Sequence, residues 1–163
     1  MNHSEIRTPK SAIETGFIVK KILIVEDEEK SLYLARFILE KEGYEVIEAR
    51  DGLEALDKTF EENPDLILMD MQLPKLDGYE ATKAIRNLEC GLRNKIEEGP
   101  YSKSEIRNLK SKIKNVPIIA LTAYAMKGDR EKTLEAGCSG YIEKPIDPET
   151  IIAQIKQVIG QEP

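Results

Sequence analysis

No run of apolar residues in this chain approaches the roughly 20 needed to cross a bilayer as a helix. Met1 to Lys20 mix polar and charged side chains without the apolar stretch of a secretion leader, so none is read there. Cysteine is scarce: Cys90 and Cys138 lie far apart and form no C-x-x-C pair. Reduced thiols in the cytoplasm are the simplest account, implying neither a disulfide nor a thiolate metal site. A positive charge excess is also missing. The formal net charge is −6, which argues against nucleic acid or a membrane surface as the partner of the whole chain. There is no internal repeat. What is present is 163 residues, 40% hydrophobic and 33% charged, enough for one domain with a real core.

Apolar runs mark the strands. Leu66-Ile67-Leu68-Met69 is continuous enough for a strand buried on both faces, and it runs straight into Asp70. Lys21 to Val25 is a second such run, ending in Glu26-Asp27-Glu28, and Val116 to Leu121 a third, ending at Thr122. Tyr44 to Ala49 alternates more and belongs nearer a sheet edge; Gly140 to Glu143 is short and leads into Lys144-Pro145. Between them lie segments of helical spacing. Ser31–Glu40 closes at Gly43, Asp51-Gly52 opens a helix that Asn63-Pro64 ends, and Asp77-Gly78 opens one with Ala81, Ala84, Ile85 and Leu88 on one face. Lys127 to Ala136 is closed by Gly137, and Pro148 to Ile159 is the last helix. Five strands alternating with five helices predict an α/β fold with a doubly wound parallel sheet, and right-handed crossovers favour the flavodoxin-like order 2-1-3-4-5. The predicted organisation is an N-terminal extension over 1–19, with Ile13, Phe17 and Ile18 as candidate anchors, then one domain over 20–160.

One segment exceeds what a connection in such a fold needs. Residues 88–115 carry seven basic and four acidic residues, a balance of +3 that leaves −9 on the rest. Leu92 and Ile96 extend the preceding helix, Glu98-Gly99-Pro100 breaks it, and Ser102 with Glu105 resembles a capping box before Ile106, Leu109 and Ile113. A helical hairpin inserted between the third helix and the fourth strand is the expectation.

In sheets of this kind chemistry collects at the carboxyl ends of the strands. Read in order, those ends are Glu26-Asp27, Asp70, Thr122 and Lys144. Each has a bland reading alone: a helix cap, a turn acid, a turn former, a surface lysine. Together, three acids in one place call for a divalent cation, and hard oxygen ligands sharing coordination with a phosphate suit Mg²⁺. A hydroxyl and an ammonium opposite them match a phosphoryl group's outer oxygens, and an aspartate can itself be the nucleophile.

The stretches ILIVEDE, LILMDMQLPKLDGYE and VPIIALTAYAMKGDREKTLEAGCSGYIEKPI, with the closing helix, resemble the receiver domains of two-component response regulators, of which the chemotaxis receiver is the familiar example. The resemblance covers residues 20–159 apart from the insertion. It implies that Asp70 is the phosphoacceptor, that Asp27, Asp70 and the backbone carbonyl of Gln72 bind Mg²⁺, and that Glu26 acts on the metal through a water. It makes Thr122 and Lys144 the phosphoryl contacts, Thr122 and Tyr141 the switch pair, and Lys144-Pro145 a cis peptide. The expected function is a stand-alone cytoplasmic receiver in a phosphorelay, not an enzyme beyond its own phosphorylation and dephosphorylation. Its implied partners are a histidine kinase or phosphotransfer protein, and a downstream protein on the face formed by helix 127–136, strand 140–143 and the last helix. A homodimer is a further possibility; nucleic acid and membrane are not expected. Two alternatives stand beside it: the relay receiver of a hybrid kinase, and a Mg²⁺-dependent phosphatase with an aspartyl nucleophile. The phosphatase pattern asks for D-x-D at the first strand, whereas Gln72 follows Asp70 at that spacing in the third.

Overall fold

The apolar runs become a five-stranded parallel sheet in the order β2-β1-β3-β4-β5. The computed structural model describes residues 18–98, 102–104, 115–123 and 128–160, without the side chains of 92–98. Along the chain the elements are β1 (Lys21–Val25), α1 (Glu29–Lys41), β2 (Glu45–Ala49), α2 (Gly52–Glu62), β3 (Leu66–Asp70) and α3 (Gly78–Glu98). They continue with β4 (Ile118–Thr122), α4 (Asp129–Ala136), β5 (Gly140–Glu143) and α5 (Pro148–Ile159). All five residues of β3 are buried, as its continuous apolar run predicts, because it pairs with β1 on one side and β4 on the other. β2 lies at one edge, as its alternation predicts.

Alternate strand residues feed two cores. Ile22, Ile24, Leu66, Leu68, Ile119 and Leu121 face Leu32, Ile38 and Leu39 of α1 and Ile151 and Ile155 of α5. Leu23, Val25, Ile67, Met69, Ile118 and Ala120 face Ala55 of α2, Ala81 and Ile85 of α3, and Cys138. Each fully buried Leu or Ile contributes roughly 1.5–3 kcal/mol by leaving water. No helix among the described residues is long and apolar enough to cross a membrane.

Local chemistry sets the helix ends, sometimes away from where spacing placed them. α1 starts at Glu29, two residues before the expected Ser31, because the Glu28 carboxylate accepts from the N–H groups of Lys30 and Ser31. Gly43 follows its end at φ 92, a left-handed conformation that glycine adopts without a steric penalty. In α3 the predicted inner face is Ala81, Ala84, Ile85 and Leu88. Ala81 and Ile85 are buried, but Leu88 is exposed and Glu89 takes its place inside. α3 does continue into the insertion, to Glu98. Of the predicted second arm, Lys103 and Ser104 are helical, Ser102 precedes them outside the helix, and residues 105–114 lie outside the described residues. Ile13, Phe17 and Lys127 also lie outside them. Ile18 does not anchor the N-terminus: it is exposed.

Candidate functional site

Parallel register brings the predicted acids together. Val25 pairs with Met69, so the residues that follow, Glu26 and Asp70, leave neighbouring strands at the same level. Asp70 pairs with Leu121 and Thr122 with Glu143, which sets Thr122 and Lys144 around the same rim. Backbone bonds fix this edge: Glu26 N–H donates to the Ala49 carbonyl at 3.0 Å, and Lys144 N–H to the Thr122 carbonyl at 2.8 Å. The Lys144-Pro145 peptide is cis, as the resemblance implies.

Glu26, Asp70 and Thr122 are buried, while Asp27 stands exposed at the mouth. Carboxylate oxygens of Glu26, Asp27 and Asp70 all lie within 4.8 Å of one another. The Lys144 ammonium reaches between two of them, 2.7 Å from Glu26 Oε2 and 3.3 Å from Asp70 Oδ2. Burial raises the Glu26 pKa and the charge of Asp70 raises it further, against the bonds from Lys144 and the Glu28 N–H that lower it. Burial pulls the Lys144 pKa down, but the bond to Glu26 and the charges of Asp70 and Glu26 outweigh it and leave the ammonium strengthened. One lysine therefore does not neutralise this pocket. Three hard oxygen donors carrying a negative surplus are the donor set that a small divalent cation such as Mg²⁺ takes.

The loop after β3 is pinned to the site. Gln72 N–H donates to Asp70 Oδ1 at 3.1 Å, which orients the carboxylate and keeps the Gln72 peptide beside it. Gly78 closes the loop: its N–H donates to the Met71 carbonyl, and a Cβ there would stand 2.3 Å from the Asp70 carbonyl oxygen. Asp77-Gly78 reads in the sequence only as a helix opening, and nothing local signals this close approach.

Tyr141 does not join the pocket. It sits opposite Ala120 on β5, two residues short of the rim, half-buried against the core under α2 and α3. Its ring has the Arg130 guanidinium 5.4 Å from its centre, and its carbonyl accepts from Gln154 Nε2. Arg130 on α4 was not among the predicted residues, because the contact joins positions that share no spacing signal.

A parallel five-stranded α/β domain with an acid pocket and a lysine at its carboxyl edge is a narrow class, and the comparisons place the chain within it. Residues 22–94 and 98–156 match the profile of the response regulator receiver domain. The chain is 41% identical over 143 residues to the polar-differentiation response regulator DivK of Brucella ovis, covering 88% of this chain and 98% of that protein. The receiver domain of a Pseudomonas aeruginosa sensor histidine kinase, crystallised with a magnesium ion in its active-site cleft, superposes with a TM-score of 0.67 at 34% identity. That match covers 88% of this chain and all of the other. The Vibrio cholerae chemotaxis protein CheY4 gives 0.67 at 28% identity over 86% of this chain and 99% of that one. The chain belongs to the response regulator receiver domain family of two-component signalling.

Proposed function

We propose that this receiver accepts a phosphoryl group on Asp70 from a histidine kinase or phosphotransfer protein and thereby switches its binding of a downstream protein. The observation that carries this is the buried Asp70 carboxylate, oriented by the Gln72 N–H and faced by the Lys144 ammonium at 3.3 Å. An Asp70 oxygen forms the new O–P bond as the donor's N–P bond breaks, the electron pair returning to the imidazole. Lys144 holds charge on the phosphoryl oxygens, and the Thr122 hydroxyl donates to one of them. Asp27, Asp70 and the Gln72 carbonyl would hold Mg²⁺, with Glu26 acting on it through a water, and the bound ion would supply positive charge against the acids and the incoming group. The chain acts on no substrate but itself.

Thr122 and Tyr141 move with the phosphorylation state, and α4, β5 and α5 are the face a partner reads. A groove of about 600 Å³ already runs there between Arg130, Leu134, Tyr141 and Gln154. The protein works in the cytoplasm, free of membrane and nucleic acid. A relay role, passing phosphate onward to a phosphotransfer protein, is a second reading, favoured by the likeness to a sensor kinase's receiver.

Acetyl phosphate with Mg²⁺ tests the proposal by intact mass. Wild type gains one phosphoryl mass and Asp70→Asn gains none; stoichiometric labelling of the folded mutant would move the nucleophile elsewhere.

A further inference from the structure

The turn between β2 and α2 takes no part in the acid pocket, yet it touches the loop that follows Asp70 and carries Gln72. A Cβ built on Gly52 would stand 2.2 Å from the Leu76 carbonyl oxygen and 2.8 Å from Leu76 Cβ. The Leu76 peptide thus rests on the bare Cα of Gly52. One residue earlier, Lys75 has φ 65, a left-handed conformation that costs a side-chain-bearing residue energy unless its surroundings hold it. Its ammonium lies 3.2 Å from Oδ2 of Asp51, the residue before Gly52. Leu76 N–H donates to the Pro74 carbonyl at 2.7 Å, which tightens the turn at this point.

We infer that Asp51 and Gly52 are positioning residues for the phosphoacceptor loop: Gly52 sets how closely the loop seats against α2, and Asp51 holds Lys75 in the conformation that seating needs. This rests on Asp70 being the phosphoacceptor. The outcome depends on which partner yields when Gly52 gains a methyl group. α2 is the stiffer side. The Asp51 carboxylate caps it by accepting the Glu54 N–H at 2.8 Å, and Ala55 and Thr59 bury its inner face. The loop is the softer side, with Gln72, Pro74 and Lys75 exposed. Relieving a 2.2 Å contact moves the loop by roughly 1 Å, and a misplacement of that size at a reacting group can cost up to about 100-fold in rate. Gly91 provides the control, since a Cβ there meets nothing within 4 Å.

The test uses the full chain well below its thermal midpoint, reading Mg²⁺ affinity by calorimetry and the acetyl-phosphate labelling rate at saturating Mg²⁺. Gly52→Ala is expected to label about tenfold or more slowly and to bind Mg²⁺ more weakly, while Gly91→Ala keeps the wild-type rate and affinity. A purely structural role would lower the midpoint and leave both readouts of the folded protein unchanged, and that result overturns the inference. Asp51→Asn keeps a good N-cap and loses only the ion pair. It should slow labelling about twofold, the size a partly exposed pair supports, and it decides the matter if Gly52→Ala does not fold. A wild-type rate in Asp51→Asn would then overturn the inference. Labelling that persists in Asp70→Asn overturns the reading beneath it; labelling lost there but untouched in Gly52→Ala overturns this inference alone.

Discussion

Each end of the sheet buries a glutamate against a cation, and the two glutamates are in opposite condition. At the carboxyl end Glu26 is 1% exposed and bonded to Lys144 at 2.7 Å. At the amino end Glu89 is 3% exposed and bonded to Arg86 Nη1 at 3.0 Å. Glu89 also accepts the Val116 N–H at 3.1 Å, and Arg86 spends its other nitrogens on the Gly137 carbonyl, at 3.0 and 2.9 Å. Each charge there has a partner, and among the described residues no second acid forms an ion pair with Arg86. Glu26 shares its cation with Asp70 and stands near Asp27, so negative charge is left over. A buried pair is settled by its full set of partners and not by the presence of a counter-ion. One arrangement fastens the chain where it re-enters the sheet from the insertion. The other keeps an acid pocket ready for a cation.

The largest expected effect that sharpens this contrast is on metal binding. Asp27→Ala should weaken Mg²⁺ by about 10- to 100-fold in a calorimetric titration, and Glu26→Ala by less, because a carboxylate acting through a water is more easily replaced. Equal losses would refute that ranking. Next comes the amino end. Glu89→Ala should lower unfolding stability by about 1–3 kcal/mol in urea titration, since the Val116 N–H and Arg86 lose their acceptor. Mg²⁺ affinity should not change; a matching loss of affinity would mean the two ends are coupled. The same contact bears on removal of the insertion. A deletion beginning at residue 89 takes out a core tether, whereas one spanning 91–114 keeps it. The shorter deletion should leave Asp70 labelling intact while partner binding, or self-association by sizing chromatography, weakens and becomes less salt-dependent.

The smallest effect is on pH dependence. The folded-state pKa of Glu26 is raised, so its favourable contribution is present below the ordinary 4.5 and is lost as pH rises through the raised value. Metal-free wild type should therefore lose thermal stability over that rise relative to Glu26→Gln, and saturating Mg²⁺ should remove the difference. The Asp51 and Asp147 caps have lowered pKa values, chiefly through the backbone N–H groups they accept. Their contribution is lost only as pH falls below the ordinary 3.8. The two windows do not overlap.

Much of the fold was legible in the chain because its signals are local. Continuous apolar runs, helical spacing and turn residues each depend on neighbours within a few positions, and the β-α alternation then leaves few ways to wind a parallel sheet. Asp70, Glu26, Asp27, Thr122 and Lys144 were named by the same logic, as residues at or just beyond the carboxyl ends of the expected strands, and the parallel register sets them on one rim. Spacing misplaced Leu88 because it registers only which positions share a face. Glu89 is the residue inside, since an N–H group 27 positions later and the guanidinium three positions earlier satisfy its charge. Gly52 and Gly78 read as helix-opening glycines, and only the packed loop makes each the seat of another residue's carbonyl.

The sequence alone determined the order of the elements and the end of the sheet where the acids gather, because burial pattern and chain direction are properties of the string. Tertiary structure decided which buried charges are balanced. The free energy of a buried carboxylate depends on every donor and every charge around it, and those arrive from strands and helices far apart in the chain.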